Sequence, residues 1–434
     1  MVKFARWALL GAFAASALFF SFVVGYILHD DSGAAADSGA ASSGSSADRP
    51  FDVLNDIYGV IQKDFVESDK FNDQTNRDLL VEGAINGLIQ SLGDPHTTYI
   101  DPDSFKAGRG DSSGRFEGIG AHVRQDTQSG NIVIVTPFTG SPAEKAGIRP
   151  GDIILAVDGE PTNGWTVDRA VIQIRGQKGT TVKLKVRHSD GKEQEIPIQR
   201  AEIVVGTVFG CPEVQLPTAG SSIRGLDAAC PLKDRNGQDV PDLAYLHIEQ
   251  FTESTPKDVS AFLKGLDTAR YRGLVLDVRR NPGGLLDATV QVADSFLDRG
   301  TVLVQESKDG RRQEYQARQG KDTALPIVVL MDETSASGAE VLAASLHDNN
   351  RAVLVGTKTF GKGTVNQLRT LPNGGALYVS VARWLTPNNN QIEGVGVQPD
   401  IEVTLTDADF DKAAVNINWD PQLFRAIEEL QKPR

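Results

Sequence analysis

"PIVVLMDETSASGAEVLAASLHD", residues 326–348, is an apolar run that stops at a cluster of small and polar residues and resumes as a helix from about Gly338. A run with no polar alternation reads as a strand buried on both faces, the condition of a parallel sheet held between helices. The same rhythm extends outward from this stretch, beginning at about residue 242. "LAYLHIEQF", "GLVLDVR", "VLVQES", "AVLVG" and "ALYVSVARW" read as further strands, and "TPKDVSAFLKGLD" and "LLDATVQVADSFLD" as further helices. Strands alternating with helices predict an α/β layer with a largely parallel sheet.

Sites in such sheets gather where strands end and helices begin. Ser337 lies at that point. It serves there either as a plain helix cap or as a nucleophile whose neighbouring N–H groups, with Gly338 the nearest, face a developing oxyanion at the positive end of the helix. "NPGGLLD", residues 281–287, follows another strand. Gly283 and Gly284 either make a tight turn or let the backbone approach a ligand with exposed N–H groups. A base for Ser337 must also be found. His347 is ten residues further along the helix, about 15 Å away, and too far. "KTFGKGTV", residues 358–365, offers Lys362, with Phe360 and Val365 available to bury its stem, while Lys358 sits in what reads as a more exposed turn. A lysine accepts a proton at working pH only if burial lowers its pKa well below about 10.4. The competing reading of Lys362 is a surface lysine in a Gly-rich hairpin.

Composition narrows the classes. The 434 residues have ordinary apolar and charged fractions, and their length corresponds to about three domains. A net charge of −13 without a dense Lys/Arg run argues against nucleic acid as a partner. Six scattered histidines show no ligand spacing, so no metal site is expected. Residues 7–28 carry no charge and are long enough, at about 33 Å, to cross a bilayer; basic residues precede them and acidic ones follow. The expectation is a retained single-pass anchor with the remaining chain outside the cytoplasmic membrane, or, alternatively, a cleaved signal peptide and a secreted protein. Residues 29–49 read as a Ser/Gly/Ala-rich tether. Cys211 and Cys230, if oxidised, close a loop of about 20 residues worth about 3 kcal/mol; in a reducing compartment they are two small apolar residues.

"FDVLNDIYGVIQKDFV" and "NRDLLVEGAINGLIQSLG" place apolar residues at helical spacing, and "DPHTTYIDPDSF" follows as a turn-rich segment in which His96 reads as a loop histidine. From 115 to 200 the rhythm changes to short β runs, "NIVIVTPF", "DIILAVDG", "TVKLKVRHS" and "QEIPIQR", with helix candidates at "SPAEKAGIRPGD" and "TVDRAVIQIRG".

Taken together, these blocks resemble the carboxy-terminal processing peptidases, the tail-specific serine protease family, from about residue 51 to 405. "LVEGAINGLIQSLGDPHTTY" is similar to the family's N-terminal helices and turn. "FEGIGAHV", "SPAEKAGIRPGDIILAVDG" and "IRGQKGTTVKLKVRH" are similar to its PDZ module. "GLVLDVRRNPGGLL", "TSASGAE", "TFGKGTV" and "LTPNNNQIEGVGVQPDIEV" are similar, in order, to its protease core. The resemblance implies a crotonase-like core and a Ser-Lys dyad of Ser337 and Lys362, with oxyanion donors from Gly338 and from Gly283 or Gly284. It implies no metal and no organic cofactor. The amide usual four residues after the lysine is here Asn366 rather than Gln, with a shorter arm; on a strand it shares the face of Lys362. The resemblance also implies that Gly118, Ile119, Gly120 and Ala121 receive a terminal carboxylate, with Val171 and Ile174 contacting apolar side chains of a tail.

The implied organisation is an anchor at 1–28, a linker at 29–50, a helical region at 51–114, a PDZ-like domain at 115–202, an inserted loop with both cysteines at 203–241, the protease core at 242–405 and a tail with a short helix at 406–434. The implied function is a serine endopeptidase acting near the C-termini of proteins with exposed apolar tails. A tethered peptide-binding scaffold with an inert core is the alternative, and Asn366 is the feature that favours it. The natural substrate, and any homo-oligomer or activating adaptor, are not legible in the sequence.

Overall fold

The computed structural model describes residues 51–433 apart from 109–112, 127–128, 139, 189, 213–229, 319, 407–408 and 410–418. Its first part comprises helices α1 (Asp52–Asp64) and α2 (Gln74–Gln90), strand β1 (Thr98–Ile100) and a helical turn α3 (Pro102–Lys106). Asp73 starts α2 by accepting the Asn76 N–H, and Asp101 caps α3 on two N–H groups ahead of Pro102.

The next part is β2 (Arg115–Gly118), β3 (Ala121–Gln125), β4 (Ile132–Pro137), α4 (Pro142–Lys145), β5 (Ile153–Val157), β6 (Glu160–Pro161), α5 (Val167–Ile174), β7 (Thr181–Arg187), β8 (Glu193–Gln199) and β9 (Ala201–Val204). β3, β4, β5, β7 and β8 lie side by side and pair antiparallel. Strict alternation in β7, with Val182, Leu184 and Val186 buried and their neighbours exposed, marks a sheet wet on one face. α5 packs against α3, so the β-rich module rests on the N-terminal segment.

The remainder is β10 (Val208–Cys211), β11 (Leu232–Lys233), β12 (Asp239–Val240), β13 (Leu243–Ile248), α6 (Thr255–Gly265), β14 (Gly273–Asp277), α7 (Leu286–Phe296), β15 (Thr301–Ser307), β16 (Arg312–Gln316), β17 (Ile327–Met331), α8 (Gly338–Asp348), β18 (Ala352–Gly356), β19 (Thr364–Thr370), β20 (Ala376–Leu385), β21 (Ile401–Glu402) and α9 (Pro421–Leu430). The central sheet runs β10-β13-β14-β17-β18-β21 and is parallel except for β10 at its edge. Every residue of β13, β14 and β17 is buried because α6, α7 and α8 cover one face and α9 the other. A second, antiparallel sheet runs β1-β20-β15-β16 with β19 on β20.

Several expectations are corrected. β15 and β20 belong to the antiparallel sheet, not the parallel layer; an apolar run fixes a strand but not its direction. Val208–Cys211, expected inside an inserted loop, is the edge strand of the core, and the Cys211–Cys230 disulfide fastens it to the β11–β12 hairpin. α9, expected as a tail, is part of the core: Leu423, Ala426, Ile427 and Leu430 pack on Val275, Val328 and Val355. Placement as a single-pass, extracytoplasmic protein is also corrected. Among the described residues no helix is long and apolar enough to cross a membrane. Residues 7–28, where the anchor is expected, and the tether after them lie outside the described residues.

Candidate active site

The C-terminal ends of β13, β14 and β17 open into three turns that press on one another. After β14, the Asn281 side chain spans the gap: its amide donates to the Ile248 carbonyl at 2.8 Å and its oxygen accepts the Gly283 N–H at 2.7 Å. The Ala336 N–H then donates to the Asn281 carbonyl at 2.9 Å, which draws the turn after β17 against it. After β13, Phe251 brackets the same glycines, donating to the Gly283 carbonyl and accepting from Leu285.

Ser337 enters α8 with φ at 52°, the left-handed region that costs a side chain such as serine about 1–3 kcal/mol. Such strain persists only where surroundings impose it, and here they do. A Cβ on Gly283 would stand 2.7 Å from the Ser337 Cβ and 2.8 Å from the Gly338 nitrogen. A Cβ on Gly338 would stand 2.6 Å from the Thr289 hydroxyl, which accounts for glycine after this serine. The N–H of Gly338 opens the helix, and among the described residues neither it nor the N–H of Gly284 meets an acceptor. The Gly283 N–H, expected as a donor to ligand, is instead occupied by Asn281.

Lys362 lies on the turn between β18 and β19 and is 1 % exposed; Ser337 is 2 % exposed. The buried carboxylate of Glu340, one turn into α8, reaches both. Its Oε2 accepts from the Ser337 N–H at 2.9 Å and from the Lys362 N–H at 2.8 Å. Its Oε1 accepts from the Gly361 N–H at 2.7 Å and from the Thr359 hydroxyl. The backbone nitrogens of Ser337 and Lys362 therefore lie within two hydrogen-bond lengths of each other. Burial holds the Lys362 ammonium well below the ordinary lysine range, against the attraction of the Glu393, Asp94 and Glu340 carboxylates. Phe360, expected to cover the lysine stem, is 43 % exposed. Val365 is buried and the Tyr378 ring lies 5.7 Å from Nζ. Lys358 is exposed, and His347 pairs with Asp348 and Asp400 at the far end of α8.

Asn366 does not continue a regular strand from Lys362, because a bulge between Val365 and Asn366 breaks the register. Its amide donates to the His96 carbonyl at 2.9 Å and to the Ser380 hydroxyl at 3.1 Å. This brings in residues that pattern alone missed. His96 is buried with Nε2 3.0 Å from Glu393 Oε1, and Glu393 Oε2 accepts the Gly363 N–H at 2.8 Å. Burial pushes Glu393 up, yet the hydrogen bonds from His96 and Gly363 outweigh it and leave its pKa lowered. His96 and Glu393 are 297 residues apart, so no local signal links them; only the histidine's place in a turn full of capping residues singles it out.

In the β-rich module, Gly118 ends β2 and Ala121 begins β3. The Ile119 carbonyl accepts from Ala143 and the Gly120 carbonyl from Phe138. Gly120 has φ at 75°, and a Cβ there would stand 2.7 Å from the Ser141 Cβ. Val171 is half-buried on α5, whereas Ile174, expected to face a ligand, lies in the module's own core. Among the described residues no group of acidic, histidine and cysteine side chains is arranged to hold a metal ion.

Comparison with known proteins places these parts. Residues 242–403 match the peptidase family S41, residues 110–187 the PDZ domain, and residues 16–104 the N-terminal domain of the activating protease CtpB. The chain is 36 % identical to the carboxy-terminal processing protease CtpA of Bacillus subtilis, over 84 % of this chain and 71 % of that one. It is 34 % identical to CtpB of the same organism, over 86 % and 72 %. A solved photosystem II D1 C-terminal processing protease is 27 % identical, with 81 % of this chain and 92 % of that one covered and a TM-score of 0.44.

Proposed function

This chain belongs to the carboxy-terminal processing proteases of peptidase family S41, serine hydrolases of peptide bonds, and on that premise we propose that Ser337 and Lys362 are its nucleophile and general base. Ser337 Oγ attacks the scissile carbonyl carbon while neutral Lys362 Nζ takes its proton. The ammonium that forms faces the carboxylates of Glu393, Asp94 and Glu340, so the charge that develops in the transition state is met by charge already in place. The N–H groups of Gly338 and Gly284 receive the oxyanion, aided by the positive end of α8. As the C–N bond breaks, the lysine returns its proton to the departing amine. Water then attacks the acyl ester and gives up its proton to the lysine, which passes it to the departing Ser337 Oγ as the ester C–O bond breaks and the acid product leaves.

The PDZ domain is the site for protein or peptide substrates. An apolar C-terminal tail is held there, its carboxylate on the N–H groups of the 118–121 turn and its chain along β3. The observation that carries the proposal is a buried lysine, with its ammonium disfavoured, whose backbone meets that of a strained serine at one carboxylate oxygen. Asn366 gives the inert-scaffold alternative little support, because its amide is used to hold the His96 turn. The test compares the wild type with Ser337→Ala on a protein with an exposed apolar tail and on a fluorophosphonate probe. Cleavage and labelling should both vanish in a variant that melts as a folded protein; retained cleavage would assign the chemistry to another serine.

A further inference from the structure

Glu340 is 0 % exposed and belongs to neither member of the dyad, yet more of the site's geometry passes through it than through any other side chain described above. Each of its oxygens accepts two hydrogen bonds, and all four partners are donors. Three are backbone N–H groups, of Ser337, Gly361 and Lys362. The fourth is the Thr359 hydroxyl, whose own oxygen is occupied by the Val397 N–H at 2.7 Å, so its hydrogen is directed at the carboxylate. Burial pushes the Glu340 pKa up and the four donors only partly offset it, but a protonated carboxyl would aim its hydrogen at one of these donors, so the geometry fits the ionised, acceptor-only form. The first turn of α8 favours a negative charge at that position as well.

The four donors come from two chain segments. Ser337 lies on the turn after β17; Thr359, Gly361 and Lys362 lie on the turn after β18. Gly361 has φ at 95° and Ser337 at 52°, conformations that need continuous support from outside. The 335–338 and 358–362 turns are otherwise joined by one further backbone bond described here, from the Phe360 N–H to the Ser335 carbonyl at 3.0 Å.

We propose that Glu340 is the positioning residue of this active site: one ionised carboxylate holds the nucleophile's turn and the lysine's turn in contact, and its charge tunes the base. This rests on the Ser337–Lys362 proposal. The charge acts in a known direction: burial lowers the lysine's pKa, and the attraction of Glu340, which adds to the larger ones of Glu393 and Asp94, favours the ammonium and raises it. In Glu340→Gln the amide places an NH₂ donor against donors and removes the charge. The expected result is a loss of kcat of about 100-fold, the scale of an ångström-sized misplacement, with KM for a tailed substrate little changed. The acid limb of kcat/KM should also move to lower pH, since the lysine then sheds its proton more readily. A purely structural role predicts a loss with the limb unmoved.

Glu340→Gln within threefold of wild type, or less active with an unshifted limb, overturns the proposal. If that variant does not fold, Glu340→Asp decides. It keeps the charge on a shorter arm that cannot reach both turns, so kcat should fall at least about tenfold while the acid limb stays nearer the wild type; wild-type kcat overturns the proposal. Lys362→Ala, measured alongside, separates the two levels of the argument. If it is active, the dyad itself is wrong. If it is inactive while Glu340→Gln behaves as wild type, the dyad stands and only the role of Glu340 falls.

Discussion

The turn at 335–338 in the protease core and the turn at 118–121 in the PDZ domain both lie beside the end of a strand and are both proposed to offer N–H groups to a ligand, yet they are held differently. Around Ser337 the space is filled: a methyl group on Gly283 or Gly338 would collide with the serine, the helix or Thr289, and a buried carboxylate ties two turns together. Around Gly120 the backbone is close-packed too, since a Cβ there would stand 2.7 Å from that of Ser141, but the carbonyls are occupied by Phe138 and Ala143 and no buried carboxylate ties the turn to another segment. The difference follows from the work proposed for each. A base made from lysine requires desolvation, and desolvated groups must be fixed by partners. A turn that receives a carboxylate needs no buried charge of its own, because the ligand brings the charge.

The comparison breaks most readily at the lysine. Lys362→Met should lower kcat by about 10⁴-fold on any substrate, tailed or not. It should also stabilise the fold at neutral pH. Because the folded-state pKa of Lys362 lies below its unfolded value, the unfolded chain binds more protons in the interval between the two, so stability rises with pH there. The penalty is therefore complete below the folded-state pKa and disappears as pH approaches about 10.4. Thermal melts of both proteins across that range check the sign: the variant's advantage should shrink as pH rises.

Packing at the serine comes next. Gly283→Ala places a Cβ 2.7 Å from that of Ser337, and kcat should fall by about 100-fold while binding of a tail peptide is unaffected. The smallest effect belongs to the 118–121 turn. Gly120→Ala, or a substrate tail ending in an amide, should raise KM about tenfold, the scale of one or two charge-assisted hydrogen bonds, and leave kcat unchanged. A tailless peptide should be cut equally well by wild type and Gly120→Ala. If Gly120→Ala lowered kcat and Gly283→Ala raised only KM, the division of labour would be reversed.

Legibility in the sequence divides along the same line. The apolar run 327–331 followed by "ETSASG", and the glycines flanking Lys362, mark a strand, a helix entrance and a tight turn because each is a local requirement. Lost to the sequence were partnerships between distant segments. The sequence does not say that Asn281 occupies the Gly283 N–H, that Asn366 reaches back to the His96 carbonyl, or that His96 meets Glu393. Phe360 misled because an aromatic beside a glycine can turn either way. The edge strand Val208–Cys211 was missed because four residues in a chain segment with a disulfide carry no periodicity. Membership of the antiparallel sheet could not be read for β15 and β20, since strand direction is fixed by connections and not by residue type.

The central claim is that Lys362 is a neutral amine when the enzyme works. Lysine Nζ and Cε resonances followed by NMR through a pH titration, with that of Lys362 assigned by its absence from Lys362→Met, test this directly. One lysine titrating well below the ordinary range near 10.4, and lost in that variant, is the expected result; a Lys362 signal that stays ammonium until the ordinary range would contradict the account.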